Sequence, residues 1–96
     1  MMGPATTHVL EEVARERGRQ DKRWGGEPHD DSHTPGTWSV ILATQFGKVM
    51  REVHGFTFGG EWKDREPYRA PLRERLIQLA ATAVAWVETL DRERDQ

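Results

Sequence analysis

From Trp38 onward the apolar positions Ile41, Leu42, Phe46, Val49, Met50 and Val53 fall at offsets 3, 4, 8, 11, 12 and 15. The two-residue alternation of a strand cannot produce that stripe, and one face of a 3.6-residue helix does. The stretch also carries its own boundaries. Thr34 can cap, Pro35 suits a first turn that needs no amide hydrogen, and Gly55 supplies a stop, so the spacing predicts a helix over about 35–54. A second helix is predicted after Pro71, where Leu72, Leu76, Leu79, Ala83, Trp86 and Leu90 step by fours and threes in the rhythm of a packed seam. Ile77, Ala80, Ala81, Val84 and Val87 form another apolar face beside it. A helix apolar on two sides is either central in its bundle or lies against another subunit. Near the N-terminus, Val9, Leu10, Val13 and Ala14 follow Thr6 and Thr7, two residues able to cap, and predict a helix reaching about Gln20. The fold class expected is therefore all-α, with three main helices.

A chain of 96 residues holds one domain, here 1–96, with 1–6 and 92–96 expected to be flexible. Only 35% of the residues are apolar and the mean hydropathy is -0.81, against roughly 45–50% apolar, glycine included, in an average domain. That core is thin for the length, and a homodimer is expected to complete it. With 14 basic and 16 acidic residues and a net charge of -2, the chain lacks the positive field that binds phosphate backbones, so nucleic acid is not an expected partner. The apolar run from Leu76 to Leu90 is shorter than the roughly 20 residues of a membrane span and contains Gln78 and Glu88. There is no cysteine, which excludes disulfides, thiolate zinc sites and cysteine nucleophiles. No basic stretch followed by an apolar run opens the chain, so no secretory signal is expected and a cytoplasmic location is.

Two polar connections carry candidate chemistry. His29, Asp31 and His33 alternate, so an extended loop would turn all three to one side, a set suited to Zn²⁺ or another divalent transition ion. Alternatively, Asp30, Asp31 and Ser32 build turns by bonding their own backbone, with the histidines exposed or capping. Phe56, Phe58 and Trp62, set among glycines, either stack a nucleobase or plug the open end of the bundle. Trp24 has the same two readings, base pocket or helix closure. Glu11, Glu12, Glu16, Arg15 and Arg19 read as a solvated helix face. No P-loop, no GxGxxG and no serine elbow occurs.

Read from the loop into the central helix, His33-Thr34-Pro35 and the apolar run through Lys48-Val49 resemble a segment of MazG-type nucleotide pyrophosphohydrolases. There a His-Thr-Pro lead-in precedes a metal helix bearing Glu-Glu-x-x-Glu. Residues 72–81 are similar to that family's second metal helix, which carries Glu-x-x-Asp. Glu16 to Gly25 and the His-Asp-Asp-x-His run also resemble a phage and prophage group of small MazG-like proteins. The likeness implies a MazG-like bundle with the two metal helices antiparallel, and cleavage of an NTP or dNTP to NMP and pyrophosphate with Mg²⁺.

The positions that match the family's carboxylates are Thr44, Gln45 and Lys48 on one helix and Arg75 and Gln78 on the other. None is a carboxylate, and two fixed cations stand where a dication would sit, so repulsion joins the missing ligands in opposing metal capture. Two readings follow. Lys48 and Arg75, beside Gln45 and Gln78, bind the phosphates of a nucleotide directly; or catalysis has been lost and both are ordinary solvated charges on a scaffold that binds a protein through its helical faces.

Overall fold

The computed structural model describes residues 2–58 and 66–95, with side chains at 2–54 and 69–95. Among the described residues there are four helices and no strand: α1 Pro4–Trp24, α2 Glu27–Asp31, α3 Pro35–Phe58 and α4 Glu66–Arg94. The three long helices are those read from the apolar spacing, and the fold is all-α. None of the helices among the described residues is long and apolar enough to cross a membrane.

Local chemistry explains most boundaries. Thr34 caps α3 as its sequence implies: its Oγ1 accepts the Thr37 N–H at 3.1 Å, and Pro35 occupies the first turn. Helix α1 starts at Pro4 rather than after the threonines, with Gly3 at the cap and Thr7 donating its hydroxyl to the Gly3 carbonyl at 3.2 Å. It also runs one turn past Gln20. Gly25, at φ 105°, closes it in the left-handed conformation, and the Gly25 N–H donates to the Asp21 carbonyl at 2.9 Å. Gly55 does not stop α3, which continues to Phe58. Pro71 lies inside α4 rather than at its start, at the expense of one intrahelical hydrogen bond.

Residues 4–6 belong to α1 and residues 92–94 to α4. Arg92 does not project into solvent: its guanidinium donates to Asp31 Oδ1 at 2.7 and 2.9 Å and to Thr89 Oγ1 at 3.3 Å, tying the end of α4 to α2. The aromatic side chains of Phe56, Phe58 and Trp62, read as base stackers or a plug, lie outside the described residues.

Helix α4 is the centre of the molecule and packs against α3, α1 and α2. Trp38 near the start of α3 stacks on Trp86 near the end of α4, with ring centroids 6.0 Å apart, so the two helices run antiparallel. Helix α1 runs in the same direction as α4, with Glu12 paired to Arg73 and Gln20 bonded to Thr82.

The face of α4 that does the packing is not the leucine seam. Ala81, Thr82, Ala85 and Thr89 are its buried positions, at helical spacing, whereas Leu76, Ala83 and Leu90 of the seam are exposed and Leu72, Leu79 and Trp86 are half-buried. Small side chains let α1 and α3 approach the α4 backbone closely, and that leaves the bulkier stripe outside. The apolar core among the described residues is correspondingly small: Val13, Trp38, Val49, Ala81 and Ala85. The radius of gyration is 15.6 Å, where a compact domain of this length has about 13 Å.

Candidate functional site

Helical spacing brings one face of each long helix to a common cleft. Glu16, Gln20 and Trp24 lie at successive turns of α1, Gln45 and Lys48 one turn apart on α3, and Arg75 and Gln78 one turn apart on α4. The five side chains singled out from sequence, Trp24, Gln45, Lys48, Arg75 and Gln78, all line this cleft of about 470 Å³. Two further cations border it, Arg19 and Arg23, together with the carboxylates Glu16 and Glu74.

The charges are unequally engaged. Glu16 is held by Arg19 at 2.7 Å. The Gln78 amide donates to Glu74 Oε1 at 3.4 Å and accepts from Arg75 Nη1 at 3.2 Å. Among the described residues, neither Lys48 nor Arg75 forms an ion pair with a carboxylate. Arg23 lies over the Trp24 ring, its guanidinium carbon 5.0 Å from the centroid, and Trp24 itself is 54% exposed. The cleft therefore presents uncompensated positive charge beside an accessible indole.

A second hollow of about 400 Å³ adjoins the first, and Gln20, Trp24, Gln45 and Lys48 border both. Its wall includes rings that meet in sequence from α1 through α2 and the connection at 32–34 to α3. Trp24 and His29 are near-parallel at 6.1 Å, His29 and His33 meet edge-on at 4.6 Å, and His33 meets Trp38 edge-on at 4.9 Å. Asp30 lies against this hollow and is buried, with Arg17 Nη2 at 3.4 Å. Burial pushes the Asp30 carboxyl above its ordinary range, an effect that Arg17 partly offsets. Arg17 also reaches Asp21 at 3.0 Å and Glu88 at 3.2 Å, so one guanidinium joins α1, α2 and α4.

The histidine cluster read from an extended loop takes another form. Residues 27–31 are the short helix α2. Alternate residues of a helix point to different sides, so the shared face expected for His29, Asp31 and His33 is not made. His29 and His33 turn to the ring-lined hollow, whereas Asp31 turns away to Arg92. Among the described residues no group of three histidine, aspartate or glutamate side chains converges as a metal site would require. The cleft does not suit Mg²⁺ either. Amides and cations outnumber carboxylates in its lining, and of its two carboxylates Glu16 is paired with Arg19 and Glu74 accepts from the Gln78 amide.

Arg17, Gln20, Asp30 and Trp38 line the second hollow, although the sequence alone assigns a turn to Asp30, a stripe position to Trp38 and a helix end to Gln20. Gln20 was recognisable from its register with Glu16 and Trp24 on α1, and Trp38 from its register with Gln45 and Lys48 on α3. Asp30 had no such signal, because only the helical form of 27–31 turns it inward in place of Asp31. Glu12, read as part of a solvated face, instead receives a bidentate contact from Arg73 of α4, which holds its carboxyl below the usual range. No protein family, no curated protein and no solved structure matches this chain.

Proposed function

We propose that this chain is a cytoplasmic, MazG-type helical module that binds a nucleoside di- or triphosphate through fixed cations rather than through a metal ion. One observation carries the reading. Lys48 and Arg75, which match family metal positions on two different helices, line the same cleft as Trp24 and have no carboxylate partner among the described residues. Guanidinium and ammonium groups bind phosphate oxygens by charge-assisted hydrogen bonds, and the exposed indole offers an apolar face to a base. The amides of Gln45 and Gln78 add donors without adding negative charge.

Binding is favoured over pyrophosphate hydrolysis by the donor set. Water attack on a triphosphate in this family's manner needs carboxylates that hold a dication, and these positions are Thr44, Gln45, Lys48, Arg75 and Gln78. Calorimetric titration of purified protein with nucleoside triphosphates tests the proposal: saturable binding that is lost in Lys48→Glu and Arg75→Glu is expected, and binding that both variants retain would refute it. Pyrophosphate release above a protein-free blank, with Mg²⁺ or Mn²⁺ present, would restore the hydrolase reading.

The exposed stripe on α4 supports a homodimer. Leu76, Val87 and Leu90 are 47%, 55% and 47% exposed and share one face of the helix with Ala83. Two copies of that stripe supply the apolar burial that a core of five buried apolar residues among those described lacks.

A further inference from the structure

Helix α2 differs from the three long helices in how it is held. Its sequence, Glu27-Pro28-His29-Asp30-Asp31, has none of the aliphatic residues that bury the others, and its buried residue is the carboxylate Asp30. Five residues are too few to stay helical alone in water. Guanidinium groups of the neighbouring helices clasp it instead. Arg92 of α4 donates twice to Asp31 Oδ1, at 2.7 and 2.9 Å, and lies 3.9 Å from Glu27, while Arg17 of α1 stands 3.4 Å from Asp30. Two glycines lead into the helix, with φ 105° at Gly25 and φ 71°, ψ -146° at Gly26, backbone conformations that favour glycine. The segment therefore combines a compliant lead-in, little apolar burial and a polar clasp, the properties of an element that opens locally before the rest of the fold does.

We propose that α2 is a latched gate: it swings about Gly25 and Gly26, Arg92 is its latch, and opening carries His29 and His33 away from Trp38 and uncovers the inner wall of the ring-lined hollow. His29, Asp30 and His33 are the part of that wall that moves. The closed position is incompletely satisfied. The indole N–H of Trp38 is buried without a hydrogen-bond partner, and Trp38 is the ring that His33 meets with centroids 4.9 Å apart. Water reaching that N–H in the open form offsets part of the contacts given up, so the two positions lie closer in free energy than the clasp alone would set them. Opening also frees Trp24, whose ring is near-parallel to His29 at 6.1 Å and borders both hollows, so a latch on α4 controls a wall of each. The gate stands whether or not the outer cleft takes phosphates.

Residue-resolved hydrogen exchange on the full isotope-labelled chain tests the gate. The amides of Asp30, Ser32 and His33 donate to the carbonyls of Gly26, His29 and Asp30 and report α2 itself. The Trp38 indole proton has no partner, so burial alone protects it. The amides of Val13 and Val49, buried residues of α1 and α3, report the rest of the fold. In the wild type the three α2 amides and the indole proton should share one protection factor, lower than that of Val13 and Val49. Arg92→Gln should cut that shared protection about tenfold, the effect of losing a charge-assisted bond, and leave Val13 and Val49 unchanged. Asp31→Asn removes the other half of the latch and should do the same. Unprotected α2 amides in the wild type, or protection unchanged in both variants, overturns the latch. Faster α2 amides with an unmoved indole proton overturn the gate, since α2 would then loosen without uncovering Trp38. Loss of protection at Val13 and Val49 in both variants overturns it as well, by making α2 part of the global unfolding unit.

Discussion

Lys48 of α3 and Arg75 of α4 line one cleft and neither has a carboxylate ion-pair partner among the described residues, so two like charges are held in one site by the packing of their helices. Their mutual repulsion opposes folding slightly and favours any anion that enters. Reversing one charge should act in opposite directions on the two properties. In Lys48→Glu, triphosphate affinity should fall on the order of 10- to 100-fold, as expected for losing a charge-assisted contact, while the melting temperature holds or rises because Arg75 gains a partner. Calorimetry and thermal unfolding of the same preparations check this. A drop in both would mean that Lys48 is a structural residue.

The buried Asp30 carboxyl makes a pH prediction. Its native pKa lies above the ordinary 3.8, with burial as the main cause and Arg17 opposing it. The native state then holds the proton more tightly than the unfolded chain does. The Asp30 contribution to stability is fullest at pH below that ordinary value and is lost as pH rises through the elevated native one. The difference in unfolding free energy between wild type and Asp30→Asn should therefore decline with rising pH across that window, measured by urea denaturation at a series of pH values. A difference that grows with pH would show that attraction to Arg17 outweighs burial.

Two glycines should respond with opposite signs to alanine. Gly25 sits at φ 105°, and the nearest atom to an added Cβ is His29 Cβ at 3.6 Å, an ordinary contact. Gly25→Ala is therefore penalised by its backbone conformation and not by crowding, at about 1–2 kcal/mol. Gly18 lies inside α1 with nothing within 4 Å of an added Cβ, so Gly18→Ala should stabilise by roughly 0.5–1 kcal/mol. Chemical denaturation of the pair is the check, with equal signs counting against the assigned turn.

The α4 stripe predicts a concentration-dependent assembly. Wild type should sediment as a dimer, and Val87→Lys should shift it to a monomer while the helical circular dichroism signal persists, because Val87 is 55% exposed within one copy. A variant that unfolds instead would place Val87 in the protomer's own packing.

Much of the architecture was legible in the residues. The stripe from Trp38 to Val53 and the Thr34-Pro35 start specify α3, and Thr34 Oγ1 makes the cap bond that its position implies. The limits of the other helices were less so. Threonines inside a first turn resemble caps, a glycine at Gly55 resembles a stop, and Pro71 resembles a start, yet tertiary packing carries each helix through them. The residues of the cleft were visible one helix at a time, as amides and cations at helical spacing. Their convergence was not, since nothing local fixes which faces of α1, α3 and α4 meet.

The sequence by itself determined the all-α character, the three long helices, and the presence of amides and cations at positions 45, 48, 75 and 78, because hydrophobic period and residue chemistry are local properties. Tertiary structure decided which side of α4 is inside. Ala81, Ala85, Thr82 and Thr89 allow close backbone approach and were chosen over the bulkier leucine seam. That choice of face sets Arg75 opposite Lys48, and the packed helical form of 27–31 turns Asp30 inward and Asp31 out to Arg92. Side-chain volume across helix contacts decides such pairings, and a one-dimensional pattern does not carry it.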